Sequence, residues 1–393
     1  MGLKPRLYAA SPEEIRSGLI TDVYFERTRE IVERKGLRDV RVRMEIHAYS
    51  LPKGYEWAVF AGLEEALALL EGKPVTVYSV PEGTIFRRKE PLMVVEGRYS
   101  DFGVFETALL GILRFSSSIA TKAARIKAAA GNRTVLYFGL RALHPAVAPA
   151  ADRAAYIGGA DGVSGVEARK YLGLEPRGTM PHALIIIFGD QREAWSAYAE
   201  LYGDTIALVD TFYDERIESV MAAETLGEKL VAVRLDTPGS RRGRMRDIVE
   251  EVRWTLDLMG RSDVKIIVSG GIDEEKILEL KDVVDGFGVG TAISSAPSVD
   301  LSMDIVEINK DGTWKPVTKR GKLPGFKQLY LCPDGTRIVR PWSDPKPSCP
   351  KGEARPLLSK VMEDGRLTVD LPSIEEIRGY VLKQLRDMGL LKD

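Results

Sequence analysis

Asp210, Arg234 and Asp236 are the residues from which a chemistry can first be read. Asp210 lies near the end of TIALVDT (205–211), and Arg234 and Asp236 lie at the end of LVAVRLD (230–236). Both stretches are short apolar runs that predict strands. Charged groups at the end of a buried strand cost stability unless they are paired or used. Period-two alternation points Arg234 and Asp236 to the same side. Paired carboxylates there can accept hydrogen bonds from ribose hydroxyls or hold Mg²⁺ through oxygen ligands. Two later stretches, SGGIDEEKI with Ser269, Gly270 and Gly271, and GFGVGTAIS with Gly288, Gly290 and Thr291, place glycines between a strand and a helix. Backbone N–H groups exposed in such loops bind phosphate, and two glycine loops in succession after the last barrel strands form a phosphate cup. No G-x-x-x-x-G-K-[ST] loop occurs, which excludes a Walker-type nucleotidase.

YFGLRALHP (137–145) adds a different pairing, an aromatic ring at Phe138 and a cation at Arg141. Gly139 lets the backbone pass close to whatever lies between them. The piece ADGVSG (160–165) contributes Asp161 and Ser164 to the same end of the sheet. Of the three histidines, His47 in RMEIHAYS reads as structural or interfacial and His144 as a brace for the loop after Arg141. His182, in PRGTMPHALII, is expected to enter a strand behind a Gly-Thr turn, and position alone leaves it open between function and structure.

These residues are carried by a repeating pattern over 134–291. TVLYFGL (134–140), ALIIIFG (183–189), TIALVDT, LVAVRLD, VKIIVSG (264–270) and GFGVGT (286–291) predict strands, with a shorter one near ADGVSG. Helical stretches such as REAWSAYAELYG (192–203) and RMRDIVEEVRWTLDLMG (244–260) alternate with them. Alternation of this kind implies a parallel sheet covered on both faces, here an α/β barrel that is incomplete or irregular. Residues 1–113 read as an N-terminal α+β domain, with a helix in AVFAGLEEALALLEG (58–72) and strands in PVTVYSV and PLMVVEGRY. Residues 114–297 form the barrel domain, and 298–393 a small C-terminal domain closed by the amphipathic helix IEEIRGYVLKQLRDMGLL (374–391).

Composition bounds the rest. The chain has 393 residues, 44% hydrophobic and 29% charged, with a net charge of −1, so it can bury sizeable cores and has no general electrostatic grip on nucleic acid or an anionic membrane. The apolar runs noted above are too short to span a bilayer, and the N-terminus lacks the apolar core of a signal peptide, so a cytoplasmic protein is expected. Cys332 and Cys349 sit in CPDG and CPKG. Two thiols do not complete a four-ligand zinc site, and free thiols or a disulfide both remain open.

The motifs, taken in order, resemble the nicotinate phosphoribosyltransferases of type II phosphoribosyltransferase fold, particularly archaeal members. The resemblance rests on LITDVYF (19–25), YFGLR, RAAYIGGADGVSGVEA, RGTMPHA, VDTF, VRLDTPG, SGGID, GFGVGT and the basic stretch TKRGKLPGFKQLYL. It implies that nicotinate and phosphoribosyl pyrophosphate are the substrates, that Phe138 stacks on the pyridine ring, and that the partner subunit's Tyr24 covers the other face in a head-to-tail homodimer with shared sites. It places Arg141 and Arg234 near the nicotinate carboxylate and the pyrophosphate. Asp210 and Asp236 would hold ribose and Mg²⁺, and the glycine loops the 5-phosphate. Ser164 stands where nicotinamide-using relatives carry an aspartate; a serine hydroxyl donates to an acid, whereas a carboxylate repels it. His182 aligns with a histidine that many relatives phosphorylate with ATP, and that ATP-coupled, ligase-like step is left open, as are assemblies above the dimer. Cys332 and Cys349 keep one cysteine of each pair of a zinc knuckle found in some archaeal relatives, so zinc is not expected and a disulfide is implied in its place. Three other readings compete: a decarboxylating quinolinate phosphoribosyltransferase, a non-catalytic sugar-phosphate-binding barrel, and an aldolase-like barrel, for which no strand ends in a Schiff-base lysine.

Overall fold

Strands from opposite ends of the chain pair with each other. Arg41–Ser50 runs antiparallel to Asp300–Lys310 on one side and to Pro91–Arg98 on the other. The computed structural model describes residues 6–392 and divides into two compact units, one of residues up to 121 with 297–388, the other of 122–296 with the residues after 388. In the first unit seven strands form one sheet, ordered 313–316, 300–310, 41–50, 91–98, 75–79, 359–363, 366–367. The segments read from sequence as separate N-terminal and C-terminal domains therefore share a sheet. Its core takes the β-branched and apolar positions of these strands, among them Ile46, Val77, Leu92 and Val94, against Ala66, Leu67 and Leu70 of helix Leu63–Leu70. PVTVYSV and PLMVVEGRY form the strands Val75–Ser79 and Pro91–Arg98, and the closing amphipathic stretch forms helix Ile374–Asp387, while 58–72 splits into the two-residue strand Ala58–Val59 and that shorter helix.

One face of this sheet buries an ion cluster. Glu45 and His47 lie opposite Asp304 and Ser302 across the paired strands. His47 Nδ1 is 3.3 Å from Glu45 Oε1, and its Nε2 is 3.6 Å from Asp304 Oδ2. The basic stretch after the barrel neutralises them. Lys322 Nζ lies 3.1 Å from His47 Nε2 and 3.0 Å from Asp304, Lys319 lies 2.7 Å from Asp304, and Lys327 lies 2.9 Å from Glu45. Burial alone would raise the Asp304 carboxyl, but Lys319 and Lys322 together hold it below its ordinary range. His47 is thus a structural residue, as read. A small sheet (Lys327–Leu331, Arg337–Pro341, Arg355–Pro356) carries the two cysteines beside it, joined as a disulfide with a Cα–Cα distance of 5.7 Å. Among the described residues no group of three or more His, Cys, Asp or Glu is arranged to hold a metal.

Helix Glu106–Ala130 is the longest element. By length and composition the helical stretch 99–130 is apolar enough to cross a membrane, yet 61% of its most apolar window is buried within the protein, as in a core helix. Sequence reading passed over it because Ser, Thr, Lys and Arg interrupt the apolar residues.

The second unit is built on six parallel strands: β1 Thr134–Tyr137, β2 Gly162–Val163, β3 Thr205–Leu208, β4 Leu230–Leu235, β5 Lys265–Val268 and β6 Gly286–Val289. Helices between them are α1 Ala148–Ile157, α2 His182–Phe188, α3 Gln191–Tyr202, α4 Glu215–Leu226, α5 Met245–Leu258 and α6 Glu274–Leu280. The sheet order is β2-β1-β6-β5-β4-β3, with β2 and β3 as unjoined edges, so the barrel is incomplete, as the motif order implied. One expected strand is corrected. ALIIIFG is helical, and His182 begins α2 rather than entering a strand. A short apolar run does not distinguish buried strand from helix by periodicity. Here Gly189 at φ 76° closes the turn with a left-handed cap, and only Ile185 of this helix is buried.

Candidate active site

The C-terminal ends of β1, β2, β4, β5 and β6 open into a cavity of about 870 Å³; no residue of the loop after β3, Asp210 included, is among its lining. Its lining includes Phe138, Arg141, Ser164, His182, Arg234, Asp236, Ser269, Gly270, Gly271, Gly288, Gly290 and Thr291. Each of these was singled out from sequence, and the fold brings them to one place. Tyr24 lies elsewhere, on helix Val23–Arg34 of the first unit, with 56% of its surface exposed and its hydroxyl 3.4 Å from Asp22.

Backbone contacts set the ring-bearing loop. Phe138 donates its N–H to Val289 at the end of β6. Its side chain lies over Gly288, where a Cβ would come within 2.6 Å of the ring, so glycine there makes room for Phe138. Behind it, Tyr137 and Ser294 share a hydrogen bond of 2.8 Å, and Ser294 donates to the Gly139 carbonyl at 2.7 Å. Gly139 has no space for a side chain, since a Cβ would strike Ser294 and Tyr137. His144 accepts the Ala146 N–H through Nδ1 and caps the short turn at Pro145–Val147, the bracing role expected of it.

The carboxylates and His182 form the second part. Asp210 is buried, with 3% of its side chain exposed. Its Oδ2 accepts the Asp236 N–H at 3.0 Å, and its Oδ1 has no hydrogen-bond partner. Burial first, then the charge on Asp236, push Asp210 up to about 7. Asp236 Oδ1 accepts the Ser269 hydroxyl at 2.8 Å, which ties β4 to the first glycine loop. His182 Nε2 lies 3.8 Å from Asp210 and 3.6 Å from Asp236, while Nδ1 bonds Thr211 at 3.0 Å. Arg234 donates to the Met180 carbonyl at 2.9 Å, yet its Nε is buried without a partner and burial lowers its affinity for the proton. Asp210 is not among the cavity's lining residues and sits behind Asp236; an unsatisfied carboxylate oxygen there and an unsatisfied guanidinium nitrogen on Arg234 are costly, and such costs persist where a ligand supplies missing partners.

Sequence reading missed the groups that hold these loops. Glu218, fully buried in α4, accepts N–H bonds from Thr211, Phe212 and Tyr213 and so fixes the turn beyond Asp210. Glu215 accepts the Thr237 hydroxyl and pairs with Arg241, fixing the turn beyond Asp236. The one signal was the acidic first turn of α4, DERIE, which reads equally as a solvated helix start.

Comparison with known proteins bears on the family and the fold. The profile for the quinolinate phosphoribosyl transferase N-terminal domain matches residues 22–117, and that for the C-terminal domain matches 119–304. Nicotinate phosphoribosyltransferase of Bacillus subtilis is 32% identical over 359 residues, which cover 79% of this chain and 72% of that protein. The crystal structure of nicotinate-nucleotide pyrophosphorylase from Pyrococcus furiosus superposes with a TM-score of 0.95 at 52% identity, over 99% of this chain and 100% of that one. Human nicotinic acid phosphoribosyltransferase, at 22% identity and a TM-score of 0.78 over 95% and 94% of the two chains, shares the fold. The chain belongs to the type II phosphoribosyltransferase family.

Proposed function

We propose that this protein is a nicotinate phosphoribosyltransferase, which joins nicotinate to phosphoribosyl pyrophosphate and releases nicotinate mononucleotide and pyrophosphate in NAD salvage. The observation that carries the reading is the convergence of a ring-and-acid set (Phe138, Arg141, Ser164) with a sugar-phosphate set (Arg234, Asp236 and the two glycine loops) in one cavity. The pyridine nitrogen of nicotinate is already nucleophilic, so attack on C1 of the ribose needs no general base. Catalysis is then positioning and charge stabilisation. Phe138 offers a ring face, and Ser164 donates to the acid group. Arg141 and Arg234 offset the charge of the acid and of the departing pyrophosphate. Asp236 and Asp210 orient the ribose while positive charge grows at C1.

The unpartnered Asp210 Oδ1 and the Asp236 carboxylate suit Mg²⁺, a hard cation that prefers oxygen. Held there by Asp210 and Asp236, the ion would supply positive charge toward the pyrophosphate leaving group. ATP coupling fits His182, whose Nε2 faces both carboxylates. A homodimer in which the partner subunit's Tyr24 covers the ring is supported by exposed apolar residues on the Tyr24 helix, Val23 and Ile31, and by Ile187 and Tyr213 in the barrel unit.

Quinolinate is the second reading, because both matching domain profiles carry that substrate's name. Its two carboxylates call for a denser cationic pocket. The cavity's lining arginines are Arg141 and Arg234, and no lysine is among its lining residues. Pyrophosphate release should be followed with phosphoribosyl pyrophosphate, Mg²⁺ and each of nicotinate, nicotinamide and quinolinate, with and without ATP. Release with nicotinate alone supports the reading, and release with quinolinate alone replaces it. Any stimulation by ATP should vanish in His182→Ala; stimulation that survives removes the phosphohistidine role.

A further inference from the structure

The turn that carries Ser164 to the cavity is held from behind by two carboxyl groups. Asp152 of α1 is fully buried, and its Oδ2 accepts the Gly165 N–H at 3.1 Å. Its Oδ1 has no hydrogen-bond partner. Glu167, two residues past Gly165, also turns one oxygen, Oε1, inward without a partner. A Cβ on Gly165 would strike Asp152 Oδ2 and lie 2.5 Å from Glu167 Oε1, so the two side chains close on the α-carbon of the same residue and only glycine fits there. A fully buried carboxyl group beside a second carboxylate keeps its proton more readily than an exposed one.

We propose that Asp152 and Glu167 share one proton as an acid pair, and that this pair is a positioning device that sets the Ser164 hydroxyl against the acid group of the pyridine substrate. The proposal rests on the reading of Ser164 as the group facing that acid. Asp152 carries the proton and donates toward Glu167, while its other oxygen keeps the Gly165 N–H. Burial first, then the charge on Glu167, push Asp152 up to about 7, against the pull of the Gly165 N–H. Tyr137 of β1, pushed up to about 12 chiefly by burial, shares its hydroxyl with Ser294 and stays neutral. Contrary to the sequence reading, Asp161 does not share that turn: it lies at the opposite end of β2, where it accepts the Val135 N–H and is tied to Lys127 at 2.8 Å. Loss of the shared proton sets two anions against each other across Gly165, which displaces the neighbouring Ser164 and spares the glycine loops that take the phosphates.

The test is the KM for nicotinate, the KM for phosphoribosyl pyrophosphate and kcat, in wild type, Asp152→Asn and Asp152→Ala, from about pH 6 to about pH 9. In the wild type the nicotinate KM should climb several-fold above about pH 7 relative to Asp152→Asn, while the KM for phosphoribosyl pyrophosphate, which follows Asp210, should show the same pH profile in both proteins. Asp152→Asn stays neutral, accepts from Gly165 and donates to Glu167, so its nicotinate KM should lie within about twofold of wild type at pH 7 and stay flat. Asp152→Ala orphans the Gly165 N–H and should raise the nicotinate KM about tenfold, with the other KM changed less than about twofold. An equal rise in both KM values, a fall in kcat alone, or an alkaline rise that persists in Asp152→Asn overturns the proposal. Turnover of a different pyridine acid by the wild type would defeat the nicotinate reading instead, and the same comparison on that acid then judges the pair. Melting without substrate gives a readout independent of turnover. A group protonated in the folded state and ionised in the unfolded one loses stability as pH rises between the two values, so Asp152→Asn should gain on the wild type from about pH 5 to about pH 8. A constant gap between their melting temperatures also overturns the proposal.

Discussion

The molecule places a histidine between two carboxylates twice, and the two clusters have opposite characters. Around His47 the carboxylates of Glu45 and Asp304 lie at 3.3 and 3.6 Å, and three lysines complete the neutralisation. Around His182 a single nitrogen, Nε2, lies 3.8 and 3.6 Å from the carboxylates of Asp210 and Asp236, and Nδ1 bonds Thr211, whereas His47 turns one nitrogen to each of its carboxylates. Each cluster keeps buried atoms without a hydrogen bond, Glu45 Oε2 and His47 Nδ1 in the first, Asp210 Oδ1 and Arg234 Nε in the second, but no lysine is paired with Asp210 or Asp236, and His182, Arg234 and Asp236 line a cavity. The first arrangement lowers the Asp304 pKa and the second raises that of Asp210 to about 7. Residue types alone do not separate a structural ion cluster from a reactive one. The separation lies in whether protein groups, or an absent ligand, finish the charge balance.

If that distinction is right, substitutions in the two clusters should fail in different ways. The largest effect is expected from Asp236→Ala or Arg234→Ala, which should cut kcat/KM about a thousandfold while the melting temperature stays near that of the wild type. Near-normal turnover in either variant would break the comparison at its functional side. Next comes Lys322→Met, which removes the buried cation shared by Asp304 and His47 and should cost about 3 kcal/mol of stability by urea unfolding. Its kcat per folded molecule should change less than about twofold; a loss of activity with unaltered stability would show that the His47 cluster is not merely structural. Ser164→Asp should raise the nicotinate KM roughly tenfold to a hundredfold and improve use of nicotinamide, because a carboxylate repels the acid and accepts from the amide. Unchanged preference would remove Ser164 from substrate choice.

The smallest effect sharpens the contrast by its sign. The Asp210 carboxyl is raised in the folded state, so its ionisation works against folding as pH climbs from its ordinary value of 3.8 through about 7. Asp210→Asn removes that penalty. It should be more stable than the wild type by about 1 kcal/mol at pH 8, lose the difference near pH 4, and be much less active. A destabilised Asp210→Asn at pH 8 would mean that the carboxylate is satisfied after all.

The strand-end residues were legible because a buried parallel strand has few reasons to end in charge, and because glycine loops recur at the last two strands. Phe138, Arg141, Ser164 and His182 reached the cavity as expected. His182 did so from the start of a helix, since three consecutive isoleucines satisfy a buried strand and a short helix equally. The supports were not legible. Glu215 and Glu218 look like a solvated helix start until the fold folds two loops back on them, and Asp152 looks like a surface residue of an alanine-rich helix until Gly165 closes on it. Such roles depend on contacts between residues distant in sequence, which local pattern does not encode. The disulfide is a similar case, because two cysteines 17 residues apart specify a pair but not whether their Cβ atoms meet.

One measurement bears most directly on the claim that the unpaired cluster at the barrel mouth is a phosphoribosyl-transfer site. Phosphoribosyl pyrophosphate labelled in its ribose is mixed with nicotinate and an excess of enzyme, and the pyridine nucleotide formed is collected from the wild type and from Asp236→Ala. Transfer of the label into nicotinate mononucleotide by the wild type, with almost none from Asp236→Ala, is the predicted result. No labelled nucleotide from the wild type, or equal amounts from both proteins, would contradict it.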